Sequence, residues 1–460
     1  MLRILDTGSS LCDGISRREW LRIGGVSLGG LSLASQAHAA DVGTINGAGK
    51  AKAVIVFGLI GGPAQHETWD PKPNAPAEIR GEFGSIDSAT PGLRVGELMP
   101  LTAKLTNRIA VLRAVCTNDN AHSSSGYQML TGVPHLPLSQ ENATPRPPNN
   151  APVMGAIIRA LRPDQGRLPS AITLPEHIWN DGNITWPGQD AGVLGNRFNP
   201  WLMHCDPSDK SFRPPDLSLP DDVPPLRLSG RRTLLEEVNN HLDTTLRASE
   251  SDPFGAHTQR AFDLLNGSNA RKAFDLSEEP DAVRDRYGRS RFGQSTLLAR
   301  RLVEAGVSLI QVNWTRIKEH PGGWDTHVKH NESCKKFLMP MMDQTYSALI
   351  EDLEARGLLD STLVVWFGEF GRTPRFNKDG GRDHWGHAFS LALAGGGVKG
   401  GVVHGSSDRN GAHVVEGLVE PRDLLATMYH CLGHEPNTGV LDSLGRPIPI
   451  SRGRVIQAIL

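Results

Sequence analysis

The segment TLVVWFGEFGRTPRFNKDGGRDHWG, from Thr362 to Gly386, carries an apolar run into Glu369 and, after a polar loop, sets Asp383 beside His384. Carboxylate oxygens and imidazoles together form the mixed donor set that Zn2+ accepts, with Mn2+, Ca2+ and Mg2+ as further candidates. Arg372, in the same loop, has the fork of donors that fits an anionic group. The alternative for it is an ion pair with Glu369 or Asp383 that only pins the loop. Other segments repeat these residue types. His66, Glu67 and Asp70 lie in GGPAQHETWDPKP; Asn118, Asp119 and His122 precede Ser123 to Ser125; Asp325, His327 and His330 lie in GGWDTHVKHN; and His387 follows the Asp-His pair. The expected metal ligands are drawn from Glu67, Asp70, Asp325, His327, Glu369, Asp383, His384 and His387, with His122 and Arg372 as the catalytic candidates.

Each of these segments follows or includes a stretch that reads as a buried strand. Runs rich in β-branched and apolar residues occupy 53–60, 109–115, 171–174, 308–314, 362–367 and 389–394. Between them, 332–356 has apolar residues at helical spacing and closes on Gly357, a helix stop. Alternating strands and helices predict βαβ units in an α/β fold, a three-layer α/β/α sandwich around a mainly parallel sheet. In such a sheet the loops that follow the strands leave from one edge, so ligands remote in sequence converge there. The stretches 134–152 and 207–225 are rich in Pro, Asn, Asp and Ser and read as inserted surface loops; 231–265 reads as two helices broken near Asp252-Pro253.

The chain has 460 residues and a formal net charge of -2. That balance gives no support to nucleic-acid binding, and no apolar run reaches the 18 residues of a membrane span. The N-terminus is different in kind. Arg17-Arg18, an apolar run from Ile23 to Ala34, and Ala37-His38-Ala39 have the order of a signal peptide with a twin-arginine start. Residues 1–39 are therefore expected to be an export signal read by the twin-arginine machinery, and 40–460 a single domain working in the periplasm or outside the cell. Cys116, Cys205, Cys334 and Cys431 show no C-x-x-C spacing, so they read as buried small hydrophobes.

GGPAQHETWDPKP, LTG at Leu130 to Gly132, GGWDTH, RGLLDSTLVVWFGEFGRTP, GRDHWGHAFSLALAGGGVKGG and GRP at Gly445 to Pro447 together resemble the exported family catalogued as domain of unknown function 1501. The resemblance covers essentially the whole mature chain. That family resembles the alkaline phosphatase and sulfatase superfamily, which implies an alkaline phosphatase-like fold, two divalent metals at the strand ends and hydrolysis of a phosphate or sulfate ester. Sulfated and phosphorylated saccharides are among the substrates so implied. By position, Glu67 or Asp70 stands where the superfamily has a metal-binding Asp, Asp325 and His327 match the Asp and His of the other metal position, and His384 or His387 matches the late His. Two departures stand out. Phe370 follows Glu369 where relatives carry His, and His122, ten residues before Gly132, stands where sulfatases place a Cys or Ser nucleophile. A metal-activated serine, a His122 nucleophile, ligand or acid/base, and a hydroxide without a protein nucleophile all stay open. So does a second class: a noncatalytic exported protein of the same fold that binds cell-surface or sulfated polysaccharide.

Overall fold

The computed structural model describes residues 47–164, 168–210, 212 and 272–460. The export signal, the two helices expected in 231–265 and most of 207–225 lie outside the described residues. Eight strands form one sheet: β1 (Ala53–Gly58), β2 (Ile109–Val115), β3 (Ala171–Leu174), β4 (Trp201–Leu202), β5 (Leu309–Asn313), β6 (Thr362–Phe367), β7 (Phe389–Ala394) and β8 (Val403–His404). Their spatial order is β8-β2-β7-β6-β1-β5-β3-β4. Every neighbouring pair is parallel except the two made by β7, which runs antiparallel between β6 and β2. The sequence reading located six of these strands. The two-residue edge strands β4 and β8 escaped it, being too short to show alternation.

β1, β6 and β7 are buried along their whole length, as strands covered by helices on both faces must be. On one face Ile55 and Phe57 join the apolar cluster that includes residues of α3 (Arg291–Glu304) and α4 (Met339–Ala355). Phe57 meets Phe292 and Tyr346 edge-on, at 5.4 and 5.8 Å between ring centres. Truncating such a ring costs about 3–5 kcal/mol. The remaining long helices among the described residues are α1 (His122–Thr131), α2 (Met154–Leu161) and α5 (Pro421–Cys431). The helix expected over 332–356 begins earlier, at His330, and passes through a widened turn at Cys334–Leu338 before α4. Pro340 follows that turn and has no amide hydrogen to return to the carbonyl of Lys336, a sufficient cause for the widening.

The reversal of β7 matters for the site. Its loop does not follow it but precedes it, so the β6–β7 connection is an excursion at the carboxyl edge of β6. Within it Gly371–Arg372 pairs antiparallel with His384–Trp385, bringing Arg372 and His384 to the edge where the loops after β1, β2 and β5 also emerge. The four described cysteines are buried and unpaired. Among the described residues no helix is long and apolar enough to cross a membrane.

Candidate metal centre

Asp325, in the loop after β5, is the point on which the other groups converge. His327 Nε2 and His384 Nε2 each lie 3.1 Å from its Oδ1 and 2.9 Å from each other. His122 Nε2 lies 3.3 Å from its Oδ2. The second nitrogen of each ring is committed elsewhere. His384 Nδ1 donates to the Asn120 carbonyl at 2.7 Å, His327 Nδ1 to Asp383 at 2.7 Å and His122 Nδ1 to Glu369 at 2.7 Å. An Nδ1–H given to an oxygen leaves the Nε2 lone pair for a metal, and metal-bound histidines carry this outer hydrogen bond almost without exception. Bonds of about 2 Å in tetrahedral geometry imply ligand separations near 3.3 Å, close to the spacing of Asp325, His327 and His384. The ligand atoms of these three lie within 4.8 Å of one another, as do those of His122, Glu141 and His384. The donor set thus fits a divalent ion, with Asp325, His327 and His384 as its nearest holders.

Charge follows the same geometry. Burial pushes the Asp325 carboxyl up, but the ring nitrogens of His122, His327 and His384 around it and the charge of Arg372 outweigh it and hold Asp325 far below the usual carboxylate range. Burial pulls His122 down, while hydrogen bonds to Asp325 and Glu369 prevail and raise it to about 9. The bond to Asp325 and then that to Asp383 also raise His327, against burial, whereas His384 is lowered, mainly by burial. Without a metal, a proton on His327 can therefore bridge to the free Nε2 of His384.

The positioning is built from the loops. Gly61, with φ of 110°, gives its N–H to both oxygens of Glu369 at 2.9 and 3.2 Å. A Cβ there would stand 2.3 Å from the Asp325 amide nitrogen, so only glycine lets these two loops touch. Phe370, at the position where a histidine was expected, lies flat against His384 with ring centres 4.5 Å apart and tilts against His122 at 5.0 Å. It is a packing platform for the imidazoles.

Several expected residues take other roles. Arg372 has no solvent exposure; it donates to the carbonyls of Gly61, Gly62 and Arg382 and pairs with Asp325 at 2.6 Å. It pins the loop, with Asp325 as partner rather than Glu369 or Asp383; four of its five N–H groups are spent there and it does not line the cavity. Glu369 is enclosed behind His122 and Asp383 lies behind His327, each accepting an Nδ1–H. Glu67 stands apart, paired with Arg382 at 2.7 Å and His330 at 3.1 Å. Asp70 pairs with Lys72 at 2.9 Å and accepts from Ser407. His387 contacts Asn118 and meets the Trp385 ring edge-on. The serines are spent as struts: Ser123 donates to Gln140, Ser124 to Asp119 and Ser125 to the Glu369 carbonyl, all fully buried.

A cavity of about 350 Å³ opens beside the centre, lined by His122, Asp325 and His384 at one end and by Glu141, Trp179 and Trp186 among the other walls. Glu141 was not foreseen, since it sits in the Pro-rich stretch read as a surface loop. Its Oε1 accepts the His122 amide at 2.6 Å and its Oε2 accepts from Asn180 at 3.0 Å. Asn180 also accepts from the Trp186 indole, and Trp186 lies nearly parallel to His122 at 5.9 Å. The only sequence hint was a tryptophan-bearing polar segment that had no strand or helix pattern to explain it.

No curated protein matches this chain by sequence. Solved structures with a resemblance in shape include a sulfatase from Pseudoalteromonas sp., 14% identical, over 83% of this chain and 67% of that one, TM-score 0.37. Others are a phosphonate monoester hydrolase from Silicibacter pomeroyi, 13% identical over 88% and 76%, TM-score 0.34, and the lipoteichoic acid synthase LtaP from Listeria monocytogenes, 9% identical over 91% and 77%, TM-score 0.37. At such scores the chemistry has to be argued from the side chains of this chain. The sequence match is firmer: the segments that build the centre, from GGPAQHETWD to GRDHWG, fall within residues 51–460, over which the chain belongs to the family described as protein of unknown function (DUF1501).

Proposed function

We propose that this chain is an exported, metal-dependent hydrolase of phosphate or sulfate esters and that the cavity beside Asp325 is its active site. The observation that carries the reading is the common orientation of His122, His327 and His384, each with Nδ1 committed and Nε2 turned to one carboxylate at the cavity wall. When held by Asp325, His327 and His384, a divalent ion supplies a Lewis acid for the ester oxygen and offsets the charge that develops there. Zn2+ suits two imidazoles and a carboxylate; Mn2+, Ca2+ and Mg2+ are the other candidates.

The remaining work falls to the chain's own groups. His122 has its Nδ1 on Glu369 and its ring at the cavity wall; as the imidazolium, which the Glu369 charge favours, it turns an Nε2–H toward the cavity. There it can bind an anionic oxygen or give a proton to the departing alcohol. Glu369 fixes its ring and tautomer. Trp186 shields the other side of His122 from water. Flat tryptophan faces beside the carboxylate of Glu141 and the amide of Asn142 suit a sugar ring, whose C–H face stacks while its hydroxyls take hydrogen bonds.

A noncatalytic saccharide-binding protein of the same fold is the second reading, favoured by the burial of Ser123, Ser124 and Ser125. Metal analysis of protein purified without added metal, joined to turnover assays on aryl phosphates and aryl sulfates, separates the two. The hydrolase reading expects a stoichiometric divalent ion and cleavage of one ester class; metal without turnover of any ester moves the protein to the second reading. Export is tested separately. Replacing Arg17 and Arg18 by lysine should retain the precursor in the cytoplasm, and unchanged export would remove the twin-arginine route.

A further inference from the structure

Much of the polar lining of the cavity is spent within the chain. Asp181 pairs with Arg316 and Glu176 with Arg291, and Asn180 uses its amide on Glu141 and the Trp186 indole. His177 differs. It lines the cavity half-buried, in the segment after β3, and among the described residues its ring makes no hydrogen bond or ion pair; burial, His204 and Asp190 are what act on it. The backbone on both sides of it is nevertheless fixed. Asn313, the last residue of β5, donates its amide to the Glu176 carbonyl at 2.8 Å and accepts from Gln311 of the same strand at 2.8 Å. Gln189 accepts the Ile178 N–H at 2.7 Å and donates to the Ile178 carbonyl at 2.8 Å. Gln189, Gln311 and Asn313 are at most 5% exposed. Buried amides cost stability unless they are hydrogen-bonded, and these secure the peptide units before and after His177. The ring is thus held in the wall while both its nitrogens keep their capacity for a partner, the arrangement of a preorganised contact.

We propose that His177 contacts the substrate by holding a hydroxyl of the alcohol part of the ester, and so selects esters of polyols over esters of plain alcohols. The proposal rests on the hydrolase reading above for the bond that is cleaved, and adds a side chain that reads the rest of the molecule. Burial, and after it His204, lower the pKa of His177 against the pull of Asp190, so the ring is neutral at pH 7. A neutral imidazole has one N–H and one lone pair. A hydroxyl, which also donates and accepts, is its complement, whereas an anionic oxygen accepts only.

The test uses protein equilibrated with Zn2+ and two pairs of esters matched in shape, glucose 6-phosphate with cyclohexylmethyl phosphate and galactose 6-sulfate with cyclohexylmethyl sulfate. Calorimetric Kd is measured for esters that are not turned over and kcat/KM for those that are. Within a pair the ratio of sugar ester to cyclohexyl ester cancels any loss common to both. In His177→Leu that ratio should fall about fivefold for at least one pair, the fall being carried by the sugar ester, as expected for one neutral hydrogen bond. His177→Gln keeps a donor and an acceptor and should return the ratio to within about twofold of wild type.

Four results overturn the proposal: ratios unmoved by His177→Leu, a fall produced only by tighter binding of the cyclohexyl ester, a His177→Gln protein no better than His177→Leu, or no binding of either sugar ester to wild type. Equal weakening of both members of a pair counts as an unmoved ratio and makes His177 a structural part of the wall. Binding with the expected ratios but without turnover of any ester strikes the hydrolase reading and leaves the contact standing.

Discussion

Loops from the same strands build two groups of carboxylate, imidazole and guanidinium in this molecule. In one, Glu67 is held by Arg382 at 2.7 Å and by His330 at 3.1 Å, and the other nitrogen of His330 meets Thr326 at 2.6 Å. All three charged or titratable members are at most 2% exposed, and burial lowers His330 against the pull of Glu67. The other group, around Asp325, has the same residue types, but three imidazole nitrogens face one carboxylate and the assembly borders a cavity. Residue type does not separate a structural network from a candidate site. The separation lies in enclosure and in the number of imidazoles: Glu67 is sealed in with one histidine and a guanidinium, while three imidazole nitrogens face Asp325 at a cavity wall, a set completed only by a proton or a metal ion.

The comparison breaks most visibly at Asp325. Asp325→Ala removes the one carboxylate shared by the three imidazoles, so bound metal should be lost and turnover should fall by about a thousandfold or more, the several kcal/mol that a Lewis acid contributes. The fold should persist with a smaller loss of stability, since buried Arg372 loses its carboxylate partner but keeps three backbone carbonyls, and Asp325 itself is only partly buried. Arg382→Met should do the reverse. It leaves Glu67 buried with its main counter-charge gone, and breaking such a pair costs about 3–5 kcal/mol. Denaturant midpoints should drop accordingly while the metal content of the folded fraction stays at the wild-type value. If Asp325→Ala destabilises as much as Arg382→Met and metal content is unaffected by either, both groups are structural.

These two groups were not distinguishable in the sequence. The strands, the loops after them and the residues that could bind metal were legible because buried strands carry their apolar runs locally and each loop follows one. Glu67 and Asp325 were given the same role, since each is an acidic residue shortly after a strand. What sets them apart is a partner from a distant segment, Arg382 for one and three imidazoles for the other. Arg372 was misjudged for the same reason: its carbonyl partners at Gly61, Gly62 and Arg382 are a product of loop packing, and without them an arginine near carboxylates reads as an anion clamp. Glu141 was hidden by the opposite error. A Pro-rich stretch was taken as unengaged surface, although the buried hydroxyls of Ser123 and Ser124 and the carboxylate of Asp119 tie it to α1 through Gln140 and Ser139.

A finer probe of the difference is the hydrogen bond behind each imidazole. Glu369→Gln keeps an oxygen acceptor for His122 Nδ1 and for the Gly61 amide but removes the charge. Outer hydrogen-bond partners of this kind are worth about 10–100-fold in metal affinity or activity, and the loss should appear in turnover, with the high pKa of His122 lowered in a pH–rate profile. A variant with native turnover and an unchanged profile would reduce Glu369 to a loop anchor, no different in kind from Glu67.

The smallest effect comes from the closed side and is read through pH. His66 is buried, gives its Nε2–H to the Asn410 carbonyl at 2.8 Å, and leaves Nδ1 without a partner. Burial, and after it the charge of Arg382, lowers its pKa from 6.5 to about 4. The fold therefore favours the neutral ring. Above pH 6.5 neither state takes up a proton and this residue contributes no slope. As the pH falls from 6.5 toward 4 the unfolded chain binds a proton that the folded chain refuses, and stability declines by about 1.4 kcal/mol per pH unit from this residue. Urea midpoints of wild type and His66→Gln, compared at pH 7 and pH 5.5, isolate the residue from the other histidines. The gap between the two proteins should shift in favour of the variant by about 1.4 kcal/mol on acidification. A gap that does not move would mean that His66 is protonated in the fold, and that the network around Glu67 and Arg382 is less completely closed than its geometry indicates.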